Sequence, residues 1–165
     1  MNKFDNQRKA SFLASIPTAS LENLDCPLTK RCKFNFGYFE KQDASQSFDE
    51  WGTDELSGLF EKLRDFSKEP LEYWMNQSMG KSGRVLSIYG AFPAQSKLVH
   101  PKHVPHQVKW GRFRLDWSGR LCGFVVPREL DGTVHESTGL RFDANIFYVV
   151  FLDRDHCFYQ GSEQK

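Results

Sequence analysis

Long apolar runs are missing from this 165-residue chain. None approaches the ~18 to 20 residues of a membrane span. Phe12 to Ile16 is too short for a signal peptide and is broken by Ala and Ser. A net charge is also missing: 22 basic residues meet 21 acidic ones, leaving +1. No field of one sign covers the molecule, so binding to nucleic acid would need a local patch. Cysteine is scarce. Cys26, Cys32, Cys122 and Cys157 form no CxxC pair, and Cys122 and Cys157 fall in apolar stretches. They read as buried, reduced thiols of a cytoplasmic protein. Repeats, low-complexity tracts, GxSxG and Cys-His signatures are absent. Gly80-Lys81-Ser82-Gly83 lacks the upstream glycine of a phosphate loop and reads as a turn.

What is present is a globular core. Apolar residues make up 39% and aromatics 15%, with fifteen Phe and four Trp, which excludes a disordered chain. The length suits one well-buried core. Residues 1–30 mix polar residues with scattered Phe12, Leu13, Ile16, Leu21 and Leu24, and read as an arm that is flexible or docked on the core. Residues 31–165 then form a single domain. Lys33 to Tyr38 alternates polar with apolar, as a half-buried strand does. Thr53 is the expected N-cap of a helix carrying Leu56, Leu59, Phe60, Leu63 and Phe66 at helical spacing. Pro70 ends that helix and starts a second, with Leu71, Trp74, Met75 and Met79 on one face and Gly80 as its stop. Arg84 to Phe92 reads as a further strand.

The last third carries three consecutive strands: Trp110 to Trp117, Arg120 to Pro127 and Ile146 to Tyr159. The long segment 128–145 separates the last two, and loops of that length are often functional. The element order, strand, two helices, then strands, predicts an α+β fold: a curved antiparallel sheet with two helices packed on one face.

Arginines stud the first two closing strands. Alternation puts Arg112 and Arg114 on one face, and strands lie ~5 Å apart, so Arg120, His156 and Tyr159 can converge with them on one phosphate. Arginine binds phosphate through a bidentate fork. Histidine titrates near neutrality and can carry a proton. Metal-free RNA cleavage needs both. Lys109 and His106 are candidate further contacts to RNA. The plain alternative is a solvated face on which Arg112 or Arg114 pairs with Asp116 or Asp153.

The order of elements and the segments Trp110-Gly111-Arg112-Phe113-Arg114, Arg120-Leu121-Cys122-Gly123 and His156-Cys157-Phe158-Tyr159 resemble the RelE/ParE-type bacterial toxin superfamily, in its RNA-cleaving branch. The likeness spans mainly residues 110–159. It implies that Arg120 binds phosphate on the central strand and that His156 or Tyr159 is the C-terminal general acid. It further implies an endoribonuclease acting without metal or cofactor on RNA, on or off the ribosome, and restrained by an antitoxin protein. The chain departs from that pattern in its length, its low net charge, the 128–145 insertion and the lack of a clear general-base carboxylate.

Two other clusters carry weaker readings. Alternation separates Asp153 and Asp155 from Arg154 and His156, which disfavours a metal site there. His100, His103 and His106 recur every third residue in a proline-rich stretch, so a polyproline II helix would align them on one edge. A rival function of another class is a non-catalytic module that grips protein or nucleic acid, such as an accessory protein of a phage or plasmid.

Overall fold

A computed structural model describes residues 7–22, 27–115 and 118–160. Among these residues three α-helices, α1 (Gln7–Ser15), α2 (Thr53–Phe66) and α3 (Leu71–Asn76), accompany seven strands. These are β1 (Lys33–Asn35), β2 (Ser78–Met79), β3 (Gly83–Arg84), β4 (Leu86–Gly90), β5 (Lys109–Arg114), β6 (Arg120–Val125) and β7 (Ile146–Asp153). Five strands form one sheet in the order β1-β7-β6-β5-β4, and β2 pairs with β3 in a small hairpin. The fold is α+β, as the element order predicts. The closing strands β5, β6 and β7 are consecutive antiparallel neighbours. β1 instead runs parallel to β7, so the sheet is mixed.

Hydrophobic patterning explains the layers. β7 reads Ile-Phe-Tyr-Val-Val-Phe-Leu-Asp, a near-continuous apolar run, and sits second from the edge with both faces covered. Phe113, Leu121, Phe147, Val149 and Leu152 face the helices and meet Leu59, Leu63, Phe66 and Leu71. Trp110, Cys122, Phe124 and Phe151 face the other way, where Leu98, Val104, Val108 and Phe158 cover them. This second layer comes from the proline-rich 91–108 loop and the chain end. The loop has no period-2 or period-3.6 pattern, so its apolar residues give no sign of being core.

Several boundaries differ from expectation. α2 starts one residue earlier in its cap: Gly52 is the N-cap, Thr53 is the first helical residue, and the Glu55 carboxylate accepts the Gly52 N–H at 2.9 Å. α3 ends at Asn76 rather than at Gly80, because residues 78–84 fold as the β2–β3 hairpin with Gly80 at φ 69° in its turn. The last strand stops at Asp153 rather than running to Tyr159. Both oxygens of buried Asp153 accept backbone N–H groups from the segment that follows, Cys157 at 2.8 Å and Phe158 at 2.9 Å. That pair of bonds turns the chain back across the sheet and plants Phe158 in the core, with His156 at φ 58° in the bend. The 128–145 segment is pinned at both ends, by Arg128 to Glu72 of α3 (3.0 Å) and by Lys33 to Asp143 (2.6 Å).

Of the N-terminal arm, α1 is helical and buries no side chain. Among the described residues no helix is long and apolar enough to cross a membrane.

Candidate functional site

Register decides which arginines meet. In β5–β6, Arg114 lies opposite Arg120 and Arg112 opposite Cys122; in β6–β7, Arg120 lies opposite Asp153. Directly opposed residues share a face, so three guanidinium groups gather at one end of the sheet, on the side away from the helices. The bend after Asp153 brings His156 and Tyr159 over the same end. Tyr159 stacks on Tyr89 of β4, ring centroids 4.4 Å apart and 3° from parallel. Arg112 flanks this pair at 5.8 Å from the Tyr89 ring and 5.7 Å from the Tyr159 ring.

The three arginines are held differently. Arg112 is half-buried, and its buried Nε has no hydrogen-bond partner among the described residues. Arg114 donates through Nη1 to the Met79 carbonyl at 3.3 Å, and its buried Nε is likewise unpartnered. Gly83 makes room for it: a Cβ there would stand 1.7 Å from Arg114 Nη1. Arg120 is 5% exposed and donates through Nη1 to the carbonyls of Ser118 (2.9 Å) and Gly119 (2.8 Å). It braces the β5–β6 connection. Asp116 and Trp117 lie outside the described residues.

Charge crowding sets the chemistry. Burial, and then Arg112 and Arg114, push the Arg120 pKa down from its usual value, though an arginine remains a cation. Burial first, then Arg120, with smaller parts from Arg112 and Arg114, hold the His156 imidazole below its ordinary value; Asp153 opposes them. His156 is therefore neutral at pH 7 and poised to accept a proton. The unfolded chain binds this proton more readily than the folded one. His156 thus costs stability as pH falls below about 6.5 and costs nothing above it. Burial raises the Tyr89 phenol, keeping it neutral as well.

Two of the sequence-predicted residues stand elsewhere. Lys109 opens β5 at the far end from Arg114 and shares the helix-facing side with Phe113. His106 stacks on His100 at 4.9 Å in the covering loop. The three histidines do not share one edge: His103 stacks on Tyr38 (5.8 Å) and lies 3.4 Å from Glu40. Among the described residues, no group of three or more His, Cys, Asp or Glu side chains is placed to hold a metal ion. Tyr89 is the site residue that sequence reading missed. Its signal was the alternation of Ser87 and Tyr89 with Leu86 and Ile88, which became informative only once β4 was placed beside β5.

The three described thiols are buried. Burial pushes Cys32 up to about 12, drives Cys122 well above its ordinary value and raises Cys157. Cys26 lies outside the described residues. Maleimide labelling at pH 8 followed by peptide mapping should leave Cys32, Cys122 and Cys157 unmodified until denaturant is added. Rapid native modification of Cys122 would contradict its burial beneath Arg112.

Comparison with known proteins finds no matching family model, no matching curated protein and no matching solved structure.

Proposed function

We propose that the protein is a RelE-like endoribonuclease that cleaves RNA without a metal, at the end of the sheet where Arg112, Arg114, Arg120, His156 and Tyr159 converge. The observation that carries this reading is the pair of half-buried guanidinium groups, Arg112 and Arg114, gathered on one face beside a neutral imidazole. A half-buried guanidinium at the sheet surface can turn its planar fork to a phosphate. In the proposed step, neutral His156 takes the proton of a 2′-OH and the 2′ oxygen attacks phosphorus. Arg112 and Arg114 stabilise the charge that gathers on the phosphorane. The bond to the 5′ oxygen then breaks, and Tyr159 protonates that oxygen as it leaves. Arg120 acts from behind, keeping His156 unprotonated and the β5–β6 connection in shape.

Burial and interaction with its neighbours favour this assignment of roles over the reverse. A depressed imidazole pKa suits a base, so the acid falls to Tyr159. The cleavage rate should fall on the acid side with a midpoint below the ordinary histidine value of about 6.5. His156→Ala should remove that limb and lower turnover by about 10²–10⁴-fold while leaving RNA affinity nearly unchanged. A single-turnover pH profile on single-stranded RNA reads both. An unchanged profile in His156→Ala would remove the base from the scheme.

The toxin reading adds a cellular expectation. Induced expression should arrest growth by cutting RNA, free or on the ribosome, and an antitoxin protein should relieve the arrest. A second reading is a non-catalytic binding module, favoured by the burial of Arg120 and its commitment to the Ser118 and Gly119 carbonyls. RNA affinity without turnover in the wild type would select it.

A further inference from the structure

The bend after Asp153 makes Tyr159 the outermost ring of a short aromatic column. Phe158 is fully buried among the residues that cover the sheet. Tyr89 of β4 lies 6.3 Å from it and is half-buried. Tyr159 stacks on Tyr89 and is 38% exposed. Exposure therefore rises along the column, and among the described residues Tyr89 is the only ring that Tyr159 meets. A parallel stack covers one face of a ring, so the exposed area of Tyr159 lies on its other face and rim. The bend beneath is fixed: Asp153 holds two of its N–H groups, and the Cys157 carbonyl accepts the Lys97 N–H at 2.9 Å. The ring is thus set in place before any ligand arrives. Its surroundings are cationic. Arg112 flanks it at 5.7 Å, with Arg114 and Arg120 on the same face of the sheet. The acids of the bend are engaged elsewhere, Asp153 with the backbone and Asp155 with Gln46 Nε2 at 3.2 Å.

We propose that the open face of Tyr159 is a stacking subsite for one unpaired nucleobase, that of the nucleotide on the 3′ side of the cut, with purines favoured. The proposal rests on the RNA-cleaving reading and adds a base subsite to it. A flat ring beside planar cations matches the two halves of a nucleotide. The base stacks on the ring, and the phosphate takes the guanidinium forks. The side of the cut follows from the roles of the groups. Tyr159 protonates the 5′ oxygen as it leaves, and that oxygen belongs to the nucleotide 3′ of the cut. In a duplex each base is already covered by its neighbours and must unstack before it can engage. The subsite therefore selects single strands. Purines present the larger π-face, and preferences at such platforms follow stacking strength.

The test uses the full chain and a short deoxyuridine strand carrying one 2-aminopurine. This base loses fluorescence when stacked, and a strand without 2′-OH groups cannot be cut. Wild type should quench it. Tyr159→Phe keeps the ring and should retain both quenching and affinity while losing cleavage of the matching RNA. Tyr159→Ala should lose the quenching and bind about 5- to 100-fold more weakly, the range for one base on an aromatic ring. Its log–log salt slope should match that of wild type, because no phosphate contact is removed. Annealing the strand to its complement should weaken wild-type binding. Quenching that survives in Tyr159→Ala overturns the proposal, as does equal affinity for single and paired strands. A flattened salt slope in Tyr159→Ala also overturns it, since the ring would then be holding the arginines rather than a base. RNA cleavage without quenching would remove the subsite and leave the nuclease standing. Quenching without RNA cleavage would remove the nuclease and leave the subsite.

Discussion

Arg112→Ala is expected to slow single-turnover RNA cleavage by about 10²–10³-fold, the loss typical when one preorganised donor to a developing oxyanion is removed. Arg112 is the guanidinium with most to give a ligand. It makes a cation–π contact with the Tyr89–Tyr159 pair, and its buried Nε has no partner among the described residues. The cation–π contact of a half-buried guanidinium is worth about 1–2 kcal/mol, so thermal stability should fall only modestly. Arg112→Lys keeps the charge but not the planar fork, and should recover only part of the rate. The log–log salt dependence of single-stranded RNA binding should also flatten by ~0.7, one phosphate contact. A variant that cleaves at the wild-type rate would remove Arg112 from the site.

Asp153→Ala should be the most damaging single substitution for stability, at about 3–5 kcal/mol by urea denaturation. Asp153 is 1% exposed, and its two oxygens hold the N–H groups of Cys157 and Phe158. Alanine leaves both donors unpaired, each at about 1–3 kcal/mol, and removes the carboxylate opposite Arg120 in the sheet. Asp153→Asn retains one acceptor oxygen and should cost roughly half as much. Because this turn also carries His156 and Tyr159, cleavage should fall in step with the loss of the fold at the chain end. A fully stable Asp153→Ala protein would show that Phe158 alone anchors the tail.

The closing strands were legible because β5 mixes arginines with apolar residues at a period of two, while β6 after Arg120 and β7 before Asp153 are continuous apolar runs. The antiparallel pairing of β5 with β6 followed from their short connection, and that of β7 from the element order. The parallel placement of β1 was not legible, since three residues of strand carry no orientation signal. The turn at Asp153 was hidden for a chemical reason. Asp153-Arg154-Asp155-His156 preserves a strand-like alternation of charge, and nothing local shows that Asp153 will bond to two amides four and five residues later. The second layer over the sheet was hidden because Leu98, Val104 and Val108 follow no regular period.

Within the site, the sharing of a face by Arg112 and Arg114 came directly from the two-residue period of a strand. The same period, applied one step further, assigns Lys109 to the face of Phe113, so its separation from the arginines was already readable. The burial of Arg120 was not. It depends on the β5–β6 connection folding its carbonyls onto the guanidinium. Tyr89 joins through pairing between β4 and β5, which are separated by the whole covering loop.

The most direct test of metal-free cleavage is a single-turnover assay on 5′-labelled single-stranded RNA in excess EDTA. Wild-type protein, with and without ribosomes, is compared with His156→Ala. Wild type should release fragments ending in a 2′,3′-cyclic phosphate, undiminished by the chelator, and His156→Ala should release almost none. Intact RNA in every wild-type reaction, or cleavage that EDTA abolishes, would contradict the proposed chemistry.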